Sequence, residues 1–285
     1  MRPRKIHTLH RAACRKIDAP DLMFVHGGYM DSRCWDIHFL PYFTALGYDC
    51  HAIDLSGHGL SDGKDTPDDF GIDDFADDLR QALSGLPDNV VLIGHSMGCA
   101  VIERHLERAT APAAVFMAPV PPSGTQGSIM RIALKHPQLF SELGALSSGQ
   151  IGPKSLEMLR DVYFSPATEP AELLEFAHLV QPESERAISD MLMLGMRLHR
   201  SVAKLPVLVI GGQDDAVFPP SAIGHSAVRW HARHKRIANC GHMLMLEHQW
   251  RTVADLPVVL QQRHAAGGGH EQHVDAGETA AGPSR

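Results

Sequence analysis

A serine between two glycines is the residue of this chain best suited to nucleophilic chemistry. Ser96 lies in the pattern Gly-x-Ser-x-Gly, with Gly94 and Gly98 on either side. The apolar residues 91–93 before it predict a buried strand, and residues 100–106 after it are compatible with a helix. A strand that reverses into a helix holds its turning residue at positive φ and needs glycines beside it. The pattern therefore predicts that the serine hydroxyl is exposed at the carboxyl edge of a sheet.

A carboxylate and a histidine that could activate this serine occur later in the chain. A serine hydroxyl is a weak nucleophile at neutral pH, so an imidazole must accept its proton and a carboxylate must orient that imidazole. In a parallel sheet, useful positions are the loops at the carboxyl ends of strands. Asp214 and Asp215 follow one predicted strand, and His242 follows the next. The order serine, aspartate, histidine is typical of one class of acyl-transfer enzymes.

Alternating strands and helices are predicted to position these residues. Strands are predicted at residues 15–17, 22–25, 48–55, 91–95 and 113–117, and helices at residues 32–46, 70–83 and 100–109. Continuous apolar strands separated by amphipathic helices indicate a mostly parallel sheet that is covered on both faces. The sequence therefore predicts an α/β fold.

This alternation is interrupted after residue 120. Residues 128–200 contain no convincing strand, and helices are predicted at residues 129–140, 155–164, 171–179 and 183–198. The sheet pattern resumes with strands at 207–210 and 235–238 and helices at 221–231 and 247–262. We therefore predict a core of residues 1–120 and 201–264, a helical cap of residues 121–200 over the carboxyl edge, and a disordered tail of residues 265–285.

Composition and charge favour a small-molecule partner. The chain has 285 residues, of which 44% are hydrophobic and 21% are charged, and its formal net charge is -7. A nucleic-acid surface would carry a basic stripe, and an anionic membrane would not attract this charge, so we expect neither a nucleic-acid partner nor a membrane anchor. No apolar run of signal-peptide length follows the basic first residues, so a secretory signal is not expected either.

Cysteine and histidine usage indicates neither a metal site nor a disulfide framework. The five cysteines are scattered, odd in number and without paired spacing, which favours the reducing cytoplasm. The chain has 19 histidines, but His225, His231 and His234 lack a partnered ligand set, and surface or packing roles are favoured for them. No metal and no cofactor is predicted.

Five motifs in a fixed order make the chain resemble the alpha/beta-hydrolase superfamily, in particular its serine esterase, lysophospholipase and monoglyceride-lipase-like branch with a helical cap. The resemblance extends over residues 22–262. The motifs are His26-Gly27-Gly28, Gly57-His58-Gly59-Leu60-Ser61, Gly94-His95-Ser96-Met97-Gly98, Gly212-Gln213-Asp214-Asp215 with Pro219, and Gly241-His242 before Met243-Leu244-Met245-Leu246-Glu247.

The resemblance implies a role for each matching residue. Ser96 would be the nucleophile and His242 the general base and then the general acid. The family spacing Gly-x-x-Asp, counted from Gly212, favours Asp215 over Asp214 as the orienting carboxylate, although counting from Gly211 would select Asp214. The backbone N–H groups of Gly28 and Met97 would form the oxyanion hole.

Three functions remain open from the sequence. The first is a cytoplasmic serine hydrolase that cleaves a carboxylic ester with an apolar acyl or alcohol part through an acyl-enzyme. The second is an acyltransferase or thioesterase with the same catalytic residues. The third is a non-catalytic ligand-binding protein on a hydrolase fold.

The methionine-rich residues 191–196 are expected to pack within the cap or, alternatively, to line an adaptable acyl pocket. The motifs leave the physiological substrate and the oligomeric state open.

Overall fold

A seven-stranded sheet organises the computed structural model, which describes residues 4–196 and 204–257. The strands are β1 (Thr8–Arg11), β2 (Asp21–Val25), β3 (Cys50–Ile53), β4 (Val90–His95), β5 (Ala114–Met117), β6 (Val207–Gly212) and β7 (Arg233–Ile237). Their order across the sheet is β1-β3-β2-β4-β5-β6-β7, and only the pair of β1 and β3 is antiparallel. The predicted α/β fold class with a mostly parallel sheet is confirmed, and β4, which leads into Ser96, is its central strand.

Helices cover both faces of this sheet. They are α1 (Arg33–Asp36), α2 (Phe39–Ala45), α3 (Ile72–Leu83), α4 (Met97–Leu106), α5 (Gln126–Lys135), α6 (Leu139–Ser147), α7 (Pro153–Tyr163), α8 (Pro170–Ala177), α9 (Glu185–Leu192) and α10 (Pro220–Arg229), and residues 250–257 are also helical. Side chains of a strand alternate between its two faces. Accordingly, Leu22 and Phe24 of β2 are buried in the cluster that includes α1 and α2, whereas Met23 and Val25 are buried with α3 and α4.

The first strand differs from the prediction. Residues 15–17 form a loop, and the edge strand is β1, which pairs with β3. Ile17 is 42% exposed, and its N–H donates to the carbonyl of Gly47, so it stabilises a turn rather than a sheet. The half-exposed pattern of β1 gives little apolar alternation, which explains why the sequence placed this strand wrongly.

Prolines explain two differences in the helices. The predicted helix at 32–46 is divided into α1 and α2, and Pro41 lies in the first turn of α2, where its missing N–H removes no helical hydrogen bond. The predicted helix at 129–140 ends at Lys135, just before His136 and Pro137, and α6 begins at Leu139. The sequence did not predict α6 as a separate helix.

Five helices, α5 to α9, lie between β5 and β6 and are called the cap helices below. They occupy most of the segment predicted as the cap, and the remaining helices and strands are within a few residues of their predicted positions. The division of the chain into a core and a cap domain stays a prediction. Residues 258–262 of the predicted last helix and the predicted tail at 265–285 lie outside the described residues.

The helices in the described part of the chain are also short relative to a lipid bilayer. None of them is long and apolar enough to cross a membrane.

Candidate active site

The turn between β4 and α4 presents Ser96 in a strained conformation. Ser96 has φ 51° and ψ −115° and directly precedes the first residue of α4. A Cβ atom on Gly98 would lie 2.3 Å from the carbonyl oxygen of Val25, and one on Gly94 would lie 2.8 Å from Cδ1 of Ile102. Both glycines are therefore required because β2 and α4 approach the turn closely. This local geometry is the one that the Gly-x-Ser-x-Gly pattern predicts.

The structure brings Ser96, His242 and Asp215 into one hydrogen-bonded series. His242 Nε2 lies 3.1 Å from Ser96 Oγ, and His242 Nδ1 lies 2.9 Å from Asp215 Oδ2. The other oxygen of Asp215 accepts the N–H groups of Val217 and Phe218, each at 2.8 Å. With Nδ1 donating to the carboxylate, Nε2 is free to accept the serine proton.

Asp214, the alternative acid, lies apart from this series. Its side chain is exposed, and its backbone N–H donates to the carbonyl of Cys240 at 2.9 Å. Asp215, by contrast, is only 5% exposed. Of the two aspartates that the sequence left open, the structure therefore places Asp215 at the imidazole.

Buried groups fix the loop that carries His242. The carbonyl of His242 accepts a hydrogen bond from His95 Nε2 at 2.9 Å, and its N–H donates to the carbonyl of Tyr163 at 2.9 Å. The buried carboxylate of Glu247 accepts the N–H of Gly241 at 2.7 Å. Burial lowers the pKa of His95 well below its usual value, so this neighbouring ring is uncharged at neutral pH.

Two backbone N–H groups are available near the serine. Met97 is the first residue of α4, so its N–H has no partner within the helix, and Gly28 lies in the loop after β2. Both residues line the same cavity as Ser96. Within residues 4–196 and 204–257, neither N–H donates to another group. The positive end of the α4 dipole at Met97 also favours negative charge here.

A largely apolar cavity opens onto Ser96 and His242. It encloses about 130 Å³. Apolar side chains from the cap helices and from the loops beside them form most of its wall: Ile129, Ile132, Leu139, Leu143, Phe176, Val180, Ile188, Met191, Val217, Phe218 and Met243. Such a cavity can bind the apolar part of a small molecule while a polar bond of that molecule lies at Ser96.

The methionine-rich segment contributes one side chain to this cavity. Met191 lines it, whereas Met193 and Met196 are 47% and 75% exposed. Met191 therefore meets the expectation of a residue that lines the pocket, whereas Met193 and Met196 meet neither expectation for this segment.

The segment from α5 to α9 is hydrogen-bonded to three loops of the sheet, namely those that carry Asp215, His242 and Gly28. Arg131 of α5 donates to the carbonyls of Ala216 and Val217, which follow Asp215. The carbonyl of Tyr163 at the end of α7 accepts from the His242 loop. Glu183, just before α9, accepts the N–H of Tyr29 beside Gly28 at 3.0 Å. These contacts were not predicted, because the residues that make them belong to no motif.

The other motif histidines have structural partners. Leu55 donates its N–H to His26 Nε2 at 3.2 Å, and His26 Nδ1 lies 2.8 Å from the carbonyl of Gly27. His58 Nε2 lies 3.2 Å from Glu183 Oε2. Both rings therefore have hydrogen-bond partners other than Ser96 and His242. No group of three potential metal ligands occurs in the described residues.

Sequence comparison identifies the family. Residues 22–256 match the Alpha/beta hydrolase family, and the chain belongs to it. The predicted membership of the alpha/beta-hydrolase superfamily is thereby confirmed.

Individual relatives have diverse names. The chain is 27% identical over 228 residues to non-heme chloroperoxidase CPO-A1 from Kitasatospora aureofaciens, which covers 73% of this chain and 78% of that protein. The esterase EaEST from Exiguobacterium antarcticum has a TM-score of 0.69 with 17% identity, over 91% of this chain and 96% of that one. Bromoperoxidase from Bacillus anthracis has a TM-score of 0.67 with 19% identity, over 91% and 96%. At these identities the two structures demonstrate a shared fold and no particular activity.

Proposed function

We propose that the protein is a serine hydrolase that cleaves carboxylic esters with an apolar acyl or alcohol part through an acyl-enzyme. The observation that carries this proposal is the series Ser96, His242 and Asp215 at the mouth of an apolar cavity. Membership of a hydrolase family supports the same general chemistry.

The proposed reaction uses these residues in sequence. His242 Nε2 takes the proton from Ser96 Oγ as the oxygen attacks the ester carbonyl carbon, and Asp215 stabilises the resulting imidazolium. The carbonyl oxygen becomes negatively charged and accepts hydrogen bonds from the N–H groups of Gly28 and Met97. His242 then gives its proton to the departing alcohol. Water, activated by the same histidine, releases the acid and regenerates Ser96.

We propose that the apolar part of the ester enters the cavity. A cavity of roughly 150 Å³ can hold a benzene ring, so the enclosed space of about 130 Å³ favours a short acyl chain or a small ring. Small esters are therefore suitable first substrates for testing the proposal. The free thiols of the five cysteines, four of them buried, are compatible with a reducing cytoplasm, which we propose as the location.

A second candidate transfers the acyl group to an acceptor other than water. The acceptor would be an alcohol, as in an acyltransferase, or hydrogen peroxide. Attack by hydrogen peroxide on the acyl-enzyme would release a peracid and regenerate Ser96. The relative named as a chloroperoxidase favours including peroxide. A thioesterase would use the same residues on an acyl-thioester. Product analysis with each acceptor separates these reactions from hydrolysis, because each gives a different acyl product.

Substitution of the nucleophile tests the proposal directly. In Ser96→Ala, we expect kcat for p-nitrophenyl acetate and butyrate to fall by at least about 10³-fold. A fluorophosphonate probe should label the unsubstituted protein at Ser96 and fail to label the variant. Full ester hydrolysis by folded Ser96→Ala would refute the mechanism. Absence of both labelling and turnover in the unsubstituted protein would instead favour the third possibility, a non-catalytic ligand-binding protein.

A further inference from the structure

The carboxylate of Glu183 is buried between the cap helices and two loops of the sheet. Its Oε2 atom accepts the N–H of Tyr29 at 3.0 Å and lies 3.2 Å from His58 Nε2. Its Oε1 atom accepts the N–H of Ser184 at 2.7 Å. The side chains of Glu183 and His58 have no exposed surface. A carboxylate in such a position is stable only when its oxygens are satisfied and its charge is paired.

The partner of Glu183 is a charged histidine. His58 Nδ1 lies 3.1 Å from the carbonyl oxygen of Ser56, and Nε2 faces the carboxylate, so both ring nitrogens face acceptors and both must donate. Burial alone would lower the pKa of His58, but the charge and hydrogen bond of Glu183 outweigh burial and raise it. Burial likewise opposes ionisation of Glu183, but His58 lowers the pKa of Glu183 below its usual value.

This ion pair contacts the backbone at the proposed oxyanion donor. Tyr29, whose N–H is bound to Glu183, has φ 63°, which is unfavourable for a residue other than glycine. A Cβ atom on Gly28 would lie 3.2 Å from Glu183 Oε2, so the carboxylate packs directly against the backbone of Gly28. The carboxylate therefore restrains the peptide unit between Gly28 and Tyr29, which directly follows the Gly28 N–H along the chain.

We propose that Glu183 is a positioning residue for the oxyanion hole: it holds the peptide unit between Gly28 and Tyr29 in place, with Tyr29 at its positive φ, and His58 balances its charge. This inference rests on the proposed serine hydrolase function. An oxyanion hole works through donors that are oriented before the reaction. An unpaired carboxylate beside Gly28 would repel the negative oxygen, whereas the imidazolium of His58 offsets this repulsion. The cap thus contributes to the chemistry through Glu183 as well as to the cavity wall.

Glu183→Ala and Gln181→Ala separate this role from general attachment of the cap. Gln181 also joins the cap to the sheet loops, since its side chain accepts the N–H of Gly59 at 3.1 Å and donates to Asp31 at 2.9 Å. Gln181 bonds to Tyr29 only through its backbone, whose N–H donates to the Tyr29 carbonyl at 3.0 Å, and this bond is retained in Gln181→Ala. For p-nitrophenyl butyrate, we expect Glu183→Ala to lower kcat by about 10- to 100-fold with KM changed less than threefold. Gln181→Ala should keep kcat within threefold of the unsubstituted enzyme.

Two results would overturn the positioning role. The first is a folded Glu183→Ala enzyme with kcat within threefold of the original, and the second is an equal loss of kcat in Gln181→Ala. If Glu183→Ala does not fold, Glu183→Gln provides the same test. A glutamine amide cannot accept from Tyr29, His58 and Ser184 together, so we expect kcat to fall at least threefold, and an unchanged kcat would refute the proposal.

Labelling distinguishes this inference from the proposed function. If the unsubstituted enzyme reacts with fluorophosphonate and hydrolyses the ester, whereas Glu183→Ala retains full kcat, only the positioning role fails. If the unsubstituted enzyme neither labels nor hydrolyses, the serine hydrolase function fails, and the positioning role fails with it.

Discussion

The two sides of the cavity are built from different kinds of residue. On the sheet side, polar groups of Ser96, His242 and Asp215 are joined by hydrogen bonds and lie at the ends of strands. On the cap side, the wall is formed mainly by aliphatic and aromatic side chains such as Ile132 and Phe176. Hydrogen bonds fix direction, whereas apolar packing fixes shape. Substitutions on the sheet side should therefore change the rate of bond cleavage, and those on the cap side should change which ester is cleaved.

Glu183 is the exception that makes this comparison informative. It belongs to the cap segment by chain position, but it contacts the backbone beside Gly28 through a polar side chain. Polar contacts that orient the site therefore come from both the sheet and the cap segment. The division between polar and apolar contacts does not coincide with the ends of the segment from α5 to α9.

The largest effect in this comparison is expected from Asp215, the proposed orienting carboxylate. Asp215→Asn would keep the shape of the side chain but would disturb the tautomer and the charge stabilisation of His242, so kcat should fall by about 10²- to 10⁴-fold. Asp214→Asn is the matched control, since Asp214 is adjacent and exposed. We expect its kcat to stay within threefold. Steady-state kinetics with p-nitrophenyl acetate measures both, and a reversed ranking would assign the role to Asp214.

A stability comparison between two glycines is expected to give the next largest effect. In Gly98→Ala, the new Cβ atom would lie 2.3 Å from the carbonyl of Val25. The resulting displacement should lower the free energy of unfolding by about 3 kcal/mol. In Gly144→Ala, on the exposed side of α6, no described atom outside the adjacent residues and the helix backbone lies within 4 Å of the new Cβ, and helix propensity should raise stability by about 0.5–1 kcal/mol.

Urea denaturation of both glycine variants checks this difference. Equal free energies of unfolding for Gly98→Ala and the unsubstituted protein would mean that the turn at Ser96 relaxes without strain. Destabilisation by Gly144→Ala would indicate that α6 packs more closely against its surroundings than its exposed glycine suggests.

The sheet side could be predicted from sequence because its constraints leave short motifs in the chain. Gly98 is required by the approach of β2, and Ser96 by its position at the strand end, so short motifs record both. Asp215 was favoured through the spacing of its own loop. The β1 strand was missed for the opposite reason: it lies at an edge and is half exposed, so no apolar pattern marks it.

The cap side could be predicted only as helical. Apolar periodicity indicates a helix, but many apolar side chains would satisfy the same packing, so the sequence does not specify which of them reach the cavity. Glu183 gave no signal at all, since its partners Tyr29 and His58 are more than 100 residues away along the chain. Long-range pairs of this kind require the three-dimensional structure.

The smallest expected effect concerns selectivity on the cap side. Ile129 of α5 lines the cavity, whereas its neighbour Met130 is 65% exposed. Phenylalanine at residue 129 would fill part of the acyl space, so Ile129→Phe should lower kcat/KM for a hexanoate ester about tenfold relative to acetate. The measurement is the ratio of kcat/KM for p-nitrophenyl hexanoate to kcat/KM for p-nitrophenyl acetate. Met130→Phe adds similar bulk on the solvent side of the same helix and should leave this ratio unchanged. If it is the same in Ile129→Phe as in the original enzyme, the acyl group does not enter this cavity, and the separation between a reactive sheet side and a selective cap side would be wrong.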